Sequence, residues 1–242
     1  MPTRHTHLQL NIQQTMSAAH IVADVQRAFS LKPDTIVFNE AVARTHIAIL
    51  SHAAKYGYEV FIPEGAASQV VLVWKKDVFY MEYASATFAM AGRKGVTPSR
   101  YVVRARLLHY ATGRHMFLVG THMVASGWTG GTDLDAWRQA GWYAHEKVMA
   151  GILSRLTAQW DIVLWSGDMN RPPSTFPNGV VFPAFQVEGA KTSMVLQTDH
   201  THGPVTFDYV GVLSQRIAVK VIETSTPAFN SDHDGVLAVL EW

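Results

Sequence analysis

The stretch Ile162-Val163-Leu164-Trp165-Ser166-Gly167-Asp168-Met169-Asn170 joins an apolar run to a polar end. Four consecutive apolar residues predict a strand. The glycine, aspartate and asparagine that follow are typical of a turn. Because rigid strand ends often carry the reactive side chains of sheet proteins, Asp168 and Asn170 are candidate catalytic residues. An ordinary structural turn is the alternative for this segment taken alone.

Other segments also place polar side chains at or beside a predicted strand end. They are Asn11 in Leu10-Asn11-Ile12-Gln13, Glu40 after Ile36-Val37-Phe38-Asn39, His122 after Phe117-Leu118-Val119-Gly120-Thr121, Asp208 in Thr206-Phe207-Asp208-Tyr209-Val210, and Asp232 with His233 in Asn230-Ser231-Asp232-His233-Asp234-Gly235. Asp208 is the hardest to explain as a cap or turn, because a carboxylate inside an apolar run needs a partner. Together these carboxylates, histidines and asparagines predict one shared site.

The rest of the chain alternates strands with a few helices. Helices are predicted after Ser17, over residues 42–55 and after Thr132, where Asp135 completes a capping box. One apolar stripe of the third helix is predicted to be buried. It consists of Leu134, Trp137, Gly141, Ala144, Val148, Ile152 and Leu156. Helices between the early strands, and mainly strands afterwards, predict two packed sheets with helices outside, in a single domain over residues 1–242.

Composition narrows the classes of function. The 242 residues are 48% hydrophobic and 16% charged, which supports a sizeable core and argues against disorder. The absence of cysteine excludes a disulfide scaffold, a cysteine nucleophile and a thiolate metal site. No apolar run of roughly 18 residues and no signal-peptide core occurs, so we expect a cytoplasmic protein without a membrane span. No obligate protein partner is evident.

Charge is distributed unevenly along the chain. The net charge of +1 argues against a general polycation, but residues 75–114 carry eight basic and two acidic residues. Residues 115–242 instead carry seven basic and twelve acidic residues. This pattern favours a surface that meets an anion and a separate site that gathers carboxylates. Ordinary solvated faces of strands and turns are the alternative.

In identity and order, the polar segments resemble the endonuclease/exonuclease/phosphatase superfamily, which has the DNase I-like fold. Gly-Asp-x-Asn at Gly167–Asn170 and Ser-Asp-His at Ser231–His233 are the specific elements of this resemblance. It implies a four-layer α/β sandwich, in which two mixed, mainly antiparallel β-sheets pack face to face with helices outside. It also places the site at one edge of the two sheets.

The resemblance implies a divalent cation, Mg²⁺ or Mn²⁺, as cofactor. Glu40 would be the first metal ligand, with Asn11 and Asp232 as further ligands or close neighbours. Asp168 would orient or deprotonate the attacking water, and Asn170 would hold that water or the scissile phosphate. A hard cation suits this chemistry because it neutralises charge on phosphate oxygens and lowers the pKa of bound water.

The histidines receive their roles from the same resemblance. His233, fixed by Asp208, would be the general base or would stabilise charge on the phosphate. His122 would contact a phosphate oxygen or assist the leaving group. Whether Asp168 or His233 takes the proton is left open by the sequence.

Two residues depart from the family pattern. Gln13 stands where many DNA-repair members carry a carboxylate, which puts a second tight metal site in doubt. Asn39 stands where a glutamine is usual, which shortens a hydrogen-bonding arm. The segment Asp199-His200-Thr201-His202 is predicted to be an exposed loop, with a metal site as the alternative.

Substrate contacts are assigned to three further residues. Trp128 is predicted to stack on a base or, alternatively, to anchor its own loop. Arg138 lies on the long helix where many family members have an arginine, and it would support the site or form a salt bridge. Arg104, from the basic stretch, is the third candidate contact.

The leading hypothesis is a metal-dependent phosphodiesterase acting on nucleic acid, with DNA as the expected substrate and partner, as an endonuclease or exonuclease. A lipid, inositol or other small-molecule phosphatase of the same fold is one alternative. A catalytically silent nucleic-acid-binding member is the other.

Overall fold

The computed structural model describes residues 2–128, 131–196 and 200–242. Along the chain the elements are β1 (Arg4–Asn11), α1 (Ala18–Ser30), β2 (Thr35–Asn39), α2 (Ala43–Tyr56), β3 (Tyr58–Phe61), β4 (Val71–Lys75), β5 (Phe79–Met90), β6 (Arg100–His109), β7 (His115–His122), α3 (Asp133–Gln159), β8 (Ile162–Asp168), β9 (Thr192–Leu196), β10 (Asp208–Ser214), β11 (Lys220–Ser225) and β12 (Val236–Glu241). Short 3-10 turns follow β3 and β8.

The strands form two six-stranded sheets. One has the order β11-β12-β1-β2-β4-β3, and the other has the order β5-β6-β7-β8-β10-β9. Each sheet contains one parallel pair, β1 with β2 and β7 with β8, while the other pairs are antiparallel. The prediction of two mixed, mainly antiparallel sheets is therefore confirmed.

Three apolar cores separate the four layers. The first lies between α1, α2 and the outer face of the first sheet, and Leu8, Leu10 and Ile36 belong to it. The second lies between the sheets and includes Leu118 and Leu164. The third joins the second sheet to α3 and the 3-10 turns. This arrangement is the DNase I-like sandwich that the sequence predicted.

The inward-facing side chains of β8 change from apolar to polar along the strand. On β8, Ile162 and Leu164 lie in the core between the sheets, whereas Ser166 and Asp168 at the same alternation are polar and buried. Because side chains of a strand alternate between its two faces, this row leads directly to the strand end. The polar ends of the rows form one edge of the sandwich.

Two glycines allow backbones and sheets to approach closely near that edge. A methyl group at Gly120 would come within 2.9 Å of side-chain atoms of Val70, Leu72 and Val37 in the opposite sheet. A side chain at Gly167 would collide with the carbonyl oxygen of Thr121 on the neighbouring strand. The glycine of the Gly-Asp-x-Asn element therefore has a packing role beside the site.

Helix α3 both confirms and corrects the sequence prediction. The capping box is present, with Thr132 and Asp135 bonding each other's backbone N–H. The predicted buried stripe is right at Ile152 and Leu156, whereas its members Trp137 and Val148 are only partly buried against the core. Before Ile152 the fully buried residues are instead Trp142, His145 and Met149. On this face Trp142 Nε1 donates to the Met169 carbonyl oxygen at 2.7 Å, beside the site. Strand β9 was not predicted.

Among the residues described, no helix combines the length and the apolar character needed to cross a bilayer.

Candidate active site

Asn11, Glu40 and Asp168 come together at the polar edge of the sandwich. Asn11 Nδ2 donates to Asp168 Oδ2 at 2.8 Å and lies 3.4 Å from Glu40 Oε1. Glu40 has a φ of +55°, which places it in the left-handed region that is rare for a residue with a side chain. The backbone N–H of Gln14 donates to Glu40 Oε2 at 3.3 Å. Strand ends from both sheets thus supply oxygen atoms to one point.

This cluster has the chemistry of a hard-cation site. Glu40, His122 and Asp168 each offer one ligand atom, and these atoms lie within 4.8 Å of one another. Asn11 Oδ1 is buried and has no hydrogen-bond partner in the described part of the chain. Burial, followed by the charge of the neighbouring Asp208, raises the pKa of Asp168 to about 7. A divalent cation would relieve both the unpartnered oxygen and the crowding of negative charge, and Mg²⁺ or Mn²⁺ suits oxygen ligands.

His233 and Asp208 form a second close pair. The His233 Nδ1 to Asp208 Oδ2 distance is 2.6 Å, and Gln9 Nε2 donates to the other oxygen of Asp208 at 3.0 Å. Burial alone lowers the pKa of His233, but the charge of Asp208 and its hydrogen bond outweigh burial and raise that pKa to about 10. His233 is therefore an imidazolium at neutral pH and can donate from Nε2.

The Ser231–His233 loop is held by a residue that the sequence analysis missed. Asp24, fully buried on α1, accepts from the backbone N–H groups of Asn230 and Ser231, both at 2.9 Å. Ser231 Oγ in turn donates to the Asn11 carbonyl oxygen at 2.8 Å. The available signal was an aspartate on the apolar face of a predicted amphipathic helix, where a charge needs a partner.

Asp232 lies beside the main cluster and not among its ligand atoms. It belongs to a separate group with His202 and His233 that offers three ligand atoms. His202 Nδ1 bonds the Asp232 carbonyl oxygen at 2.9 Å, and its ring centre lies 4.6 Å from that of His233. His202 is thus partly buried against the site, whereas the sequence predicted an exposed loop. Asp199 of that segment lies outside the described residues.

The two departures from the family pattern have defined places. Gln13 Nε2 donates to Asp232 Oδ2 at 3.0 Å, so Gln13 contributes a donor where a carboxylate was expected to contribute charge. Asn39 Oδ1 accepts from Gln9 Nε2 at 2.7 Å and from the Asp168 backbone N–H at 3.1 Å. Its amide donates to the Thr121 carbonyl oxygen at 2.9 Å. Asn39 therefore joins strands of both sheets directly beneath the site.

Asn170 forms the far side of the Asp168 turn. Its backbone N–H donates to Asp168 Oδ1 at 2.8 Å, and its side-chain amide donates to the Met123 carbonyl oxygen at 3.2 Å. Its φ of +50° is one that asparagine tolerates better than most residues. The turn thus fixes the orientation of the Asp168 carboxylate.

His122 enters the cluster with Arg100 behind it. His122 Nε2 lies 3.6 Å from Asp168 Oδ2 and 3.9 Å from Glu40 Oε1, and its Nδ1 lies 2.9 Å from Arg100 Nη1. Arg100 is only 7% exposed. It was counted in the basic stretch of the sequence, but no sequence feature distinguished it from the exposed cations of that stretch.

The three candidate substrate contacts have different surroundings. Arg138 lines a cavity of about 190 Å³ together with Glu40, Arg100 and His122. Trp128 packs edge-on against Trp142, in the position of a loop anchor. The structure does not bring Arg104 to the cluster. Its Nε donates to Ser85 Oγ at 3.2 Å, and it pairs with Val119, three residues before the end of β7.

Comparison with known proteins agrees with this architecture. No protein-family model and no curated protein matches the chain in sequence. An endonuclease/exonuclease/phosphatase from Bacteroides vulgatus has 13% identity and a TM-score of 0.76, with 98% of both chains covered. D. rerio TDP2 complexed with a single-strand DNA product has 14% identity and a TM-score of 0.71, covering 98% of this chain and 99% of its own.

A further solved structure, ANGEL2, is described as a 2′,3′-cyclic phosphatase in complex with adenosine-2′,3′-vanadate. It has 10% identity and a TM-score of 0.72, and the alignment covers 99% of this chain and 96% of that one. These likenesses confirm the predicted resemblance at the level of the fold.

Proposed function

We propose that this chain, which has the fold of the endonuclease/exonuclease/phosphatase superfamily, is a divalent-metal-dependent phosphoesterase that hydrolyses phosphodiester bonds of nucleic acid, with DNA as the first substrate. One observation carries the proposal: Glu40, Asp168 and the unpartnered oxygen of Asn11 converge beside the Asp208–His233 pair. A fold alone does not assign an activity, so the argument rests on these side chains.

Glu40 and Asn11 Oδ1 would hold the cation, with Asp168 next to them. When bound, Mg²⁺ or Mn²⁺ supplies charge neutralisation at the phosphate and lowers the pKa of a coordinated water. The residues suit this cation because all three offer oxygen atoms.

Asp168 is the proton acceptor in this proposal. Its carboxylate is 1% exposed, accepts bonds from Asn11 Nδ2 and the Asn170 backbone, and has a pKa raised to about 7. A divalent cation bound next to Asp168 would lower this pKa and keep the carboxylate ionised, as a proton acceptor must be at neutral pH. The bonds from Asn11 and Asn170, one to each carboxylate oxygen, fix the orientation of the carboxylate, and a remaining lone pair would accept the proton of the attacking water.

His233 supplies positive charge and is not the base. A pKa of about 10 leaves its ring protonated at neutral pH, so Nε2–H donates to a phosphate oxygen as negative charge develops there. Asp208 sustains that charge and fixes the ring through Nδ1. The division of roles thus follows from two buried groups whose environments shift their pKa values in useful directions.

Nucleic acid is favoured as substrate by the cations beside the metal ligand. Arg138 and Arg100 line the cavity next to Glu40, where Arg138 would contact a neighbouring phosphate of a polynucleotide. Arg100 is bonded to His122, Gln69 and Thr97 and contributes only its positive charge there. The DNA product bound by D. rerio TDP2 supports the same choice. A small cyclic or terminal phosphoester is the second candidate, because a cavity of about 190 Å³ suits a small group.

A substrate panel tests the proposal. Single- and double-stranded DNA, RNA and a 2′,3′-cyclic nucleotide are incubated with Mg²⁺, with Mn²⁺ and with a chelator. We expect metal-dependent cleavage of DNA that is lost in Asp168→Asn and kept in Asp77→Asn, a matched change at an exposed site. Turnover of the cyclic nucleotide alone would favour the second candidate. No turnover of any substrate, or equal activity of Asp168→Asn, would reject the proposal.

A further inference from the structure

We propose that Arg100 is a positioning residue that holds His122 in the tautomer with its proton on Nε2, so that His122 is a hydrogen-bond donor to the substrate and not a metal ligand. The catalytic part of this inference rests on the proposed function. The assignment of the tautomer rests only on the geometry around the ring.

In the hydrogen bond between Arg100 and His122, Arg100 must be the donor. Arg100 Nη1 lies 2.9 Å from His122 Nδ1, and a guanidinium has donors but no acceptor. His122 Nδ1 must therefore accept this bond and cannot carry a proton. A neutral imidazole has one proton, so that proton is on Nε2.

The protonated nitrogen faces the centre of the site. His122 Nε2 lies 3.6 Å from Asp168 Oδ2 and 3.9 Å from Glu40 Oε1, which is too far for a hydrogen bond to either carboxylate. The Nε2–H group therefore lies at the cluster and donates to neither carboxylate. A phosphate oxygen or leaving-group oxygen that binds within reach of Nε2 would accept a hydrogen bond from it.

The same proton prevents His122 from binding a metal ion. A histidine ligand offers the lone pair of a neutral ring nitrogen. At His122 the Nδ1 lone pair already accepts from Arg100, and Nε2 carries the proton. One ligand atom each of Glu40, His122 and Asp168 lies within 4.8 Å of the other two. Of these three residues, only Glu40 and Asp168 would then bind a cation, through carboxylate oxygens.

Arg100 is fixed by neutral partners, which keeps the guanidinium in place. Nη1 also donates to Gln69 Oε1 at 2.8 Å, and Nη2 donates to Thr97 Oγ1 at 2.9 Å. No carboxylate lies within ion-pair distance of Arg100 among the residues that the structure describes. Protonation of a partner therefore does not release Arg100. At longer range, across His122, the carboxylates of Asp168 and Glu40 act on its charge.

NMR of the full chain labelled with ¹⁵N at histidine tests the inference. Long-range ¹H–¹⁵N spectra distinguish a ring protonated at Nε2 from one protonated at Nδ1. We expect His122 to show the Nε2–H pattern and to keep it during titration with Mg²⁺ or Zn²⁺. A wild-type Nδ1–H pattern, or loss of the Nε2 proton when the metal binds, would overturn the proposal.

Variants separate positioning from folding. Arg100→Met should lose the single-tautomer pattern and lower kcat by about 10- to 100-fold with little change in KM, the range typical of residues that orient a ligand or catalytic group. Arg100→Lys, which also donates, should restore the Nε2–H pattern. Arg106→Met, on the same strand but paired with Glu82, should leave the His122 pattern unchanged.

The two proposals fail differently. An Nε2–H pattern without phosphoester turnover would reject the proposed function and keep the Arg100 assignment. Metal-dependent turnover with an Nδ1–H pattern would do the reverse. If Arg100→Met does not fold, the metal titration of the wild-type protein decides the question by itself.

Discussion

The inward rows of β1 and β7 face the same layer between the sheets but hold it together by different forces. The β7 row is apolar until its end, and consists of Met116, Leu118, Gly120 and His122. The β1 row is polar throughout, and consists of His5, His7, Gln9 and Asn11. The first row joins the sheets by packing, whereas the second row joins them by hydrogen bonds of His7, Gln9 and Asn11, the last of which lies in the site.

The bonds of the β1 row cross the layer at successive levels. His7 Nε2 bonds Ser166 Oγ at 2.9 Å, Gln9 donates to Asp208 at 3.0 Å, and Asn11 donates to Asp168 at 2.8 Å. Buried polar groups are tolerated when such bonds satisfy them. The site is therefore the last level of the polar β1 row, whereas the apolar β7 row of the other sheet contributes mainly to stability. Changes in the two rows should therefore have separable effects.

Breaking the last levels of the polar row should give the largest effect. Asp208→Asn removes the charge that sustains the His233 imidazolium, and burial then lowers the pKa of His233 from about 10. We expect kcat to fall by about 10³-fold, equivalent to about 4 kcal/mol, while the fold is retained. An NMR titration of His233 and steady-state kinetics measure both quantities. Unchanged kcat in a folded Asp208→Asn protein would contradict the role given to this pair.

Breaking the apolar row should cost stability and leave the chemistry intact. Leu118→Ala removes a fully buried side chain from the core between the sheets, and we expect a loss of about 3 kcal/mol in the free energy of unfolding. Urea denaturation measures this loss. Activity per folded molecule should stay within about twofold of wild type. A large loss of kcat at full folding would show that the two rows are not separable.

Gly120→Ala should affect both stability and activity, because Gly120 lies between the apolar part of the β7 row and the site. The added methyl group would press on Val70, Leu72 and Val37, and overpacking of this kind costs about 1–3 kcal/mol. Because His122 is two residues further along the same row, we also expect a loss of activity. Thermal unfolding and kinetics test both expectations. A change in stability with fully retained activity would separate Gly120 from the positioning of His122.

The smallest expected effect is on the pH dependence of the unfolding free energy, through His5 at the end of the polar row that lies far from the site. Burial lowers the pKa of His5 to about 4, so the folded state binds fewer protons than the unfolded state below pH 6.5. Stability from this group is fully present above pH 6.5 and is lost as the pH falls toward 4, by about 1 kcal/mol at pH 5.5. The difference in unfolding free energy between wild type and His5→Gln isolates this contribution. A difference independent of pH between 7 and 5 would contradict it.

The sequence predicts the ends of the rows better than their interiors. The alternation of Leu8, Leu10 and Ile12 predicts a strand at the start of the chain, and turn residues that follow apolar runs predict the polar strand ends. His7 and Gln9 were not assigned, because their partners lie 159 and 199 residues away and only the fold brings them near. Arg100 was missed for the same reason, since its burial depends on how β6 meets β7.

Helix α3 shows a second limit of sequence reasoning. From the spacing of apolar residues, the sequence predicted burial of Gly141 and Ala144, one residue before the buried Trp142 and His145. Trp142 is fully buried on the inward face, and its indole N–H donates to the Met169 carbonyl oxygen in the Asp168–Asn170 turn. The position of that turn cannot be derived from the spacing of apolar residues in the helix.

The position of a bound cation tests whether Glu40, Asn11 and Asp168 form the metal site. Crystals of the protein soaked in Mn²⁺ should give an anomalous peak beside Glu40, within reach of Asn11 Oδ1 and Asp168, because these oxygens meet there in the structure. The same peak should be absent from Glu40→Gln crystals. A wild-type peak only at His202, Asp232 and His233, or no peak in the site, would contradict the account.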